Sequence, residues 1–140
     1  MEKLTRGQLA KRANVNPETI RYYERRGLLP EPPRNGSGYR EYTQEAVNRT
    51  EFIKRLQALG FSLKEISELL SLRVEPGRTC GDVKVRVEGK VVDIEKKIAD
   101  LEHIREALLR LSSKCTGKGP IGQCPVLEEL YQIKGREVII

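Results

Sequence analysis

Apolar residues recur along this chain in steps of three and four, interrupted by prolines, glycines and capping residues, and this pattern predicts a mainly helical protein. Thr5-Arg6-Gly7-Gln8 fits a capping box, in which the Thr hydroxyl and the Gln side chain each satisfy an orphan amide, so a short helix runs from there to about Ala13. Asn16 offers a second N-cap with Pro17 at the first helical position, and that helix ends where Gly27 can turn left-handed. Two short helices joined by Ala13-Asn14-Val15-Asn16 form a helix-turn-helix, with Leu9, Ala10, Val15, Ile20 and Leu28 as its core.

The segment Leu29 to Tyr42 carries three prolines, which forbid a helix, and its Asn35-Gly36 is a hairpin-turn signal. It predicts a small basic wing at about 30–42. Thr43 then caps a third helix to about Leu59, stopped by Gly60, and Ser62-Leu-Lys-Glu65 is a capping box opening a fourth helix to about Leu72. Val47, Phe52, Ile53, Leu56, Phe61, Leu63, Ile66, Leu69 and Leu70 complete the core.

After a connecting loop at 73–80, residues 81–112 hold no proline, and Val87, Val91, Ile94, Ile98, Leu101, Ile104, Leu108 and Leu111 make one narrow apolar stripe on a long helix. Such a helix is about 48 Å long at about 1.5 Å per residue, and nothing else in the chain is large enough to cover its stripe. A second copy is the economical cover, as a coiled coil and hence a homodimer. Val83-Lys-Val-Arg-Val87 alternates like a strand and precedes Gly89, yet helix is the preferred reading. Residues 113–140 read as a Gly-rich loop, a short helix opened by Cys124-Pro125 and running to about Tyr131, and a tail, 135–140.

Charge adds a direction. The 140-residue chain carries a net charge of +6, and residues 1–80 hold 15 basic against 10 acidic side chains while 81–140 hold 11 against 10. A polyanion surface therefore belongs to the first domain, 1–72, whose helix-turn-helix spans about 5–26. Glu18, Thr19, Arg21, Tyr22 and Tyr23 sit where a recognition helix meets base edges and phosphates of double-stranded DNA, with Tyr39 and Arg40 on the wing. One of Tyr22 and Tyr23 is expected to be half-buried. No stretch reaches the roughly 18 apolar residues of a membrane helix and no signal peptide is evident, so no membrane role and a cytoplasmic location are expected. The absence of a phosphate loop or dinucleotide fingerprint, with His103 the lone histidine, argues against an enzyme.

Three cysteines in a reducing compartment read as thiols. Cys80 and Cys115 flank the long helix and Cys124 heads the last one, so Cys80 and Cys115 of one chain cannot reach a common ion. If two long helices pair antiparallel, each Cys80 meets the partner's Cys115 and Cys124, giving two three-thiolate sites per dimer. Three soft ligands with no obvious fourth suit Hg(II) or Pb(II) better than Zn(II), which prefers a tetrahedron, and Thr116 to Gln123 supply no Cys, His, Asp or Glu. Alternatives are buried or redox-reactive thiols, while His103 is expected to face solvent.

Asn16-Pro-Glu-Thr-Ile-Arg-Tyr-Tyr-Glu-Arg-Arg-Gly-Leu-Leu29, Gly38-Tyr-Arg-Glu-Tyr42 and Leu59-Gly-Phe-Ser-Leu-Lys-Glu-Ile66 resemble the MerR family of winged-helix transcription regulators, from about residue 4 to residue 131. The resemblance implies a winged helix-turn-helix DNA-binding domain, a long antiparallel coiled-coil dimerisation helix and a C-terminal metal-binding loop and helix. Cys80, Cys115 and Cys124 match the ligands of mercury-responsive members, including the eight residues between the last two. Lead- and cadmium-responsive members also use three cysteines, copper sensors keep only the loop pair, and zinc sensors add a loop Cys and His that this chain lacks. The resemblance further implies an operator in a promoter with an over-long spacer, repression without metal, and activation by DNA untwisting and bending that lets RNA polymerase engage both promoter elements. A mercury(II)-responsive regulator is therefore the expectation, with a lead, cadmium or zinc regulator, or a thiol redox switch, as the alternatives.

Overall fold

The structure, a computed structural model, describes residues 2–132. The tail at 135–140 lies outside them. The chain forms two compact units, Met1–Arg86 and Val87–Ile140.

In the first unit, α1 (Arg6–Ala13) opens on the capping box, with Thr5 Oγ1 accepting from the Gln8 amide and Gln8 Oε1 accepting from the Thr5 amide. It closes at Asn14, whose φ of 56° is left-handed, a conformation that Asn tolerates better than most residues. Helix α2 (Pro17–Arg25) begins under the Asn16 side chain, and Gly27 after it has a φ of 74°. Helix α3 (Gln44–Ala58) and α4 (Leu63–Val74) follow. Ser62 and Glu65 form the expected capping box, but Thr43 caps α3 by position alone, without a side-chain hydrogen bond.

These helices enclose one core. Leu9, Ala10, Ile20, Leu28, Val47, Ile53, Ile66 and Leu70 are buried as expected, whereas Val15, Phe52, Leu56, Phe61 and Leu63 are partly buried around them. The periodic pattern missed Leu4, Leu29 and Tyr42, which also enter the core, as does Tyr23, one of the two tyrosines of which one is expected there. Leu4 and Tyr42 are brought in by a two-way backbone pairing, Leu4 N–H to Tyr42 O and Tyr42 N–H to Leu4 O, each 2.8 Å.

Between α2 and α3 the chain makes a hairpin closed by an isolated antiparallel bridge, Arg34 to Arg40, and no strand forms among the described residues. The turn differs from a two-residue Asn-Gly turn. The Gly38 amide donates to Asn35 O, and Gly38 rather than Gly36 takes the left-handed φ, at 83°. Three-residue hairpin loops combine a type I turn with a left-handed residue in this way. Asn35 Oδ1 fixes it further by accepting from the Ser37 and Tyr39 amides.

Helix α5 (Cys80–Ser113) is continuous through Val83–Val87 and Gly89, so the helical reading of that ambiguous stretch holds. In the second unit, a 3-10 turn at Ile121–Gln123, absent from the sequence reading, precedes α6 (Pro125–Gln132). Val87, Val91, Ile94, Ile98, Leu101 and Leu108 of the stripe are exposed in the single chain. No helix among the described residues is long and apolar enough to cross a membrane.

Candidate metal centre and nucleic-acid interface

Helix α2 turns two faces in different directions because Ile20 and Tyr23 are buried while Glu18, Arg21, Tyr22 and Arg25 are exposed. Thr19 is half-buried beside Glu18, which forms an exposed ion pair with Arg21 at 3.1 Å. Tyr22 is 39% exposed, with the guanidinium carbons of Arg25 and Arg26 each 5.9 Å from its ring centre. That arrangement gathers two cations and an exposed aromatic ring on one face of α2. Tyr23, by contrast, is 3% exposed and its hydroxyl donates to Gln57 Oε1, so of the two tyrosines it is the one placed in the core.

The hairpin places the other two candidates differently. Tyr39 is 68% exposed beside the turn. Arg40 is half-buried: its guanidinium donates to Pro32 O and pairs with Glu31 at 2.7 Å. Sequence reading missed this tether, although a Glu nine residues ahead of an Arg across a predicted turn is the type of pair a hairpin brings together. Asn35 Nδ2 donates to Glu41 Oε1 at 2.6 Å and, against some desolvation, holds that carboxyl below the usual carboxylate range with help from Lys3.

All three cysteines are free thiols. Cys80 is exposed at the first residue of α5, where the Thr79 amide donates to Asp82 at 2.9 Å. Cys115 and Cys124 are half-buried and line one cavity of about 260 Å³ with Gly117, Lys118, Pro120, Ile121 and Gln123. The structure thus brings the loop pair together on one surface. The Gly117 amide donates to Cys115 Sγ at 3.3 Å, a contact the sequence signalled only through a glycine two residues after a cysteine; Gly117 has a φ of 86°. Within the described residues of one chain, no three His, Cys, Asp or Glu side chains come together as a metal-binding group. The lining has two soft sulfurs and neutral or cationic neighbours, which favours a thiophilic ion over a hard cation such as Mg(II) or Ca(II). His103 is exposed, as expected.

Two capped helices at a tight turn, a hairpin with exposed Tyr39 and a basic outer face on α2 define a DNA-binding protein of the helix-turn-helix class. Residues 4–72 match the profile of the MerR HTH family regulatory protein, and residues 47–111 match the one described as MerR, DNA binding. A mercuric resistance operon regulatory protein of Bacillus cereus is 45% identical over 126 residues, covering 90% of this chain and 96% of the relative. The HTH-type transcriptional regulator ZntR of Escherichia coli is 40% identical over 128 residues, 90% of this chain and 91% of its own. Among solved structures, a Ralstonia metallidurans transcription regulator in complex with lead(II) has a TM-score of 0.82 at 33% identity, covering 91% of this chain and 98% of its own. MerR of Bacillus megaterium in complex with mercury(II) has a TM-score of 0.70 at 40% identity, covering 88% and 95%. This chain belongs to the MerR family of helix-turn-helix transcription regulators, and it is not an enzyme.

Proposed function

We propose that this protein is a homodimeric, mercury(II)-responsive regulator that binds a promoter operator, represses without metal and activates resistance genes by distorting the DNA when the metal is bound. The observation that carries the reading is the pairing of Cys115 and Cys124 on one cavity with no acidic or imidazole neighbour in the loop. Two thiols are one short of the three-thiolate set. Cys80, exposed at the opposite end of α5, is free to supply the third to a partner chain, so that Cys80 of one subunit with Cys115 and Cys124 of the other would make two sites per dimer. A bound ion supplies the cross-link between subunits.

The remaining work falls to the chain itself. Glu18, Thr19, Arg21 and Tyr22 face the major groove of double-stranded DNA, Tyr39 and Arg40 meet the backbone from the hairpin, and Tyr23 supports α2 from the core. Tying the start of one α5 to the loop of its partner biases the angle between the two DNA-binding units, and that angle is what an over-long promoter spacer and RNA polymerase would read. The likeness to the relative complexed with lead(II) favours a second reading, in which Pb(II) is the signal at the same thiols.

Titration of the reduced full-length chain with Hg(II), Pb(II), Cd(II) and Zn(II) in excess competing small thiol tests this, read by thiolate-to-metal ultraviolet absorption and ions per dimer. Retention of two Hg(II) per dimer in preference to the others is expected. Preference for Pb(II), Cd(II) or Zn(II) would rename the signal, and retention of none would leave a redox switch.

A further inference from the structure

Glu24 is the one acidic residue of α2 turned inward: its side chain is 6% exposed although it lies two residues beyond Tyr22 and three beyond Arg21. Its two oxygens take partners from two different elements. Arg6, at the start of α1, reaches Oε1 at 3.5 Å, and the hydroxyl of Tyr42 donates to Oε2 at 2.9 Å. Tyr42 is 2% exposed and ends the hairpin, two residues after Arg40 and three after Tyr39. Its backbone is held by the two hydrogen bonds to Leu4, just ahead of α1. Glu24 is therefore the point at which the recognition helix, the entry to α1 and the exit of the hairpin are joined.

We infer that Glu24 and Tyr42 are positioning residues for sequence-specific DNA binding, fixing the register of the hairpin against α2 so that both engage the duplex at one spacing. The ion pair is a poor candidate for stability alone. It is long at 3.5 Å, and Arg6 Nε is buried with no hydrogen-bond partner among the described residues. A buried pair so incompletely satisfied adds little over apolar packing, whereas registry is the best-attested use of such pairs. The direction of the link matters as well. Tyr23, the neighbouring buried tyrosine, hydrogen-bonds Gln57 on α3, so it ties α2 to the core and not to the hairpin. Only the Glu24–Tyr42 contact, among the hydrogen bonds described for α2, reaches the hairpin. Phosphate contacts made separately by α2 and by the hairpin survive a loosened register, but base readout by α2, oriented by the hairpin's backbone contacts, does not.

The test uses the full chain and two duplexes of equal length: one enriched by the wild-type protein from a randomised double-stranded pool, the other its scrambled counterpart. Tyr42→Phe and Glu24→Gln keep the volume of the core and remove the hydrogen bond or the charge. Both are expected to weaken binding to the enriched duplex about tenfold, leaving affinity for the scrambled duplex and the slope of log K against log salt unchanged. Ile53→Val, a core change on α3 that leaves the Glu24–Tyr42 hydrogen bond in place, serves as the stability control and should leave the ratio of the two affinities intact. Equal losses on both duplexes, an unchanged ratio, a ratio that falls as far in Ile53→Val, or a wild-type chain that enriches no duplex would each overturn the inference. If Glu24→Gln does not fold, Tyr42→Phe alone decides it by the same ratio.

Discussion

Tyr23 and Tyr42 show how a single polar atom decides where a large side chain goes. Both rings are buried, and each hydroxyl finds one acceptor, Gln57 Oε1 for Tyr23 and Glu24 Oε2 for Tyr42. Burial raises both phenols above their ordinary value, and at Tyr42 the hydrogen bond to Glu24 and its negative charge raise it further. A phenol with a raised folded pKa contributes stability that is complete below the unfolded value of about 10 and is lost as pH climbs through the folded one. Urea unfolding midpoints should therefore stay level from about pH 8 to about pH 9 and fall above about pH 10, with a shallower fall in Tyr42→Phe. Identical alkaline losses in the wild type and the variant would show that Tyr42 does not titrate with unfolding. The sequence predicts that one of the adjacent pair Tyr22-Tyr23 is half-buried and leaves the two unordered. The helical phase settles it, since Tyr23 falls three residues after Ile20, on the buried face.

At the level of elements, local chemistry made the fold readable wherever it was complete in a few residues. The capping boxes at Thr5 and Ser62, the Asn16-Pro17 start and the stops at Gly27 and Gly60 all form as their residue types demand. The hairpin turn is placed by the sequence but its type is left open, because Asn35 supports either a two-residue turn at Gly36 or a longer one closed at Gly38, and the side-chain bonds to Ser37 and Tyr39 select the latter. Val83–Val87 was ambiguous for a similar reason: alternation over five residues also fits one edge of a long helix. Gly89 remains the weak position of α5, and a Cβ built there meets nothing within 4 Å in the single chain. Gly89→Ala should then stabilise the helix by about 0.5–1 kcal/mol, through the lost freedom of the unfolded chain, and raise the thermal midpoint accordingly. A midpoint that falls would place Gly89 against a partner's backbone, where no side chain fits.

For the whole molecule, the apolar stripe and the cysteines pose one problem. Val87, Val91, Ile94, Ile98, Leu101 and Leu108 are exposed at a spacing that suits a second helix, and burying apolar area is worth about 25 cal/mol per Å². One chain shows the stripe and the two-thiol cavity but not what completes either, which is why the sequence makes the site legible as residue types and spacing, and its assembly only as an inference from what one chain leaves uncovered. The proposed antiparallel dimer answers both needs at once, and it makes a claim that no single-chain site can imitate. A Cys80→Ser homodimer keeps two loop pairs and lacks every third thiol, while a Cys115→Ser homodimer keeps both Cys80 thiols and breaks both loop pairs. Neither has a complete site. In a mixed dimer, Cys80 of the Cys115→Ser chain lies opposite Cys115 and Cys124 of the Cys80→Ser chain, so one of the two sites is whole. Co-refolded mixtures, separated by different affinity tags, should retain one Hg(II) per mixed dimer against competing thiol while both parents retain none. Mixed dimers that bind no better than their parents would rule out a site shared between subunits, and the switch would then have to work without a metal bridge between them.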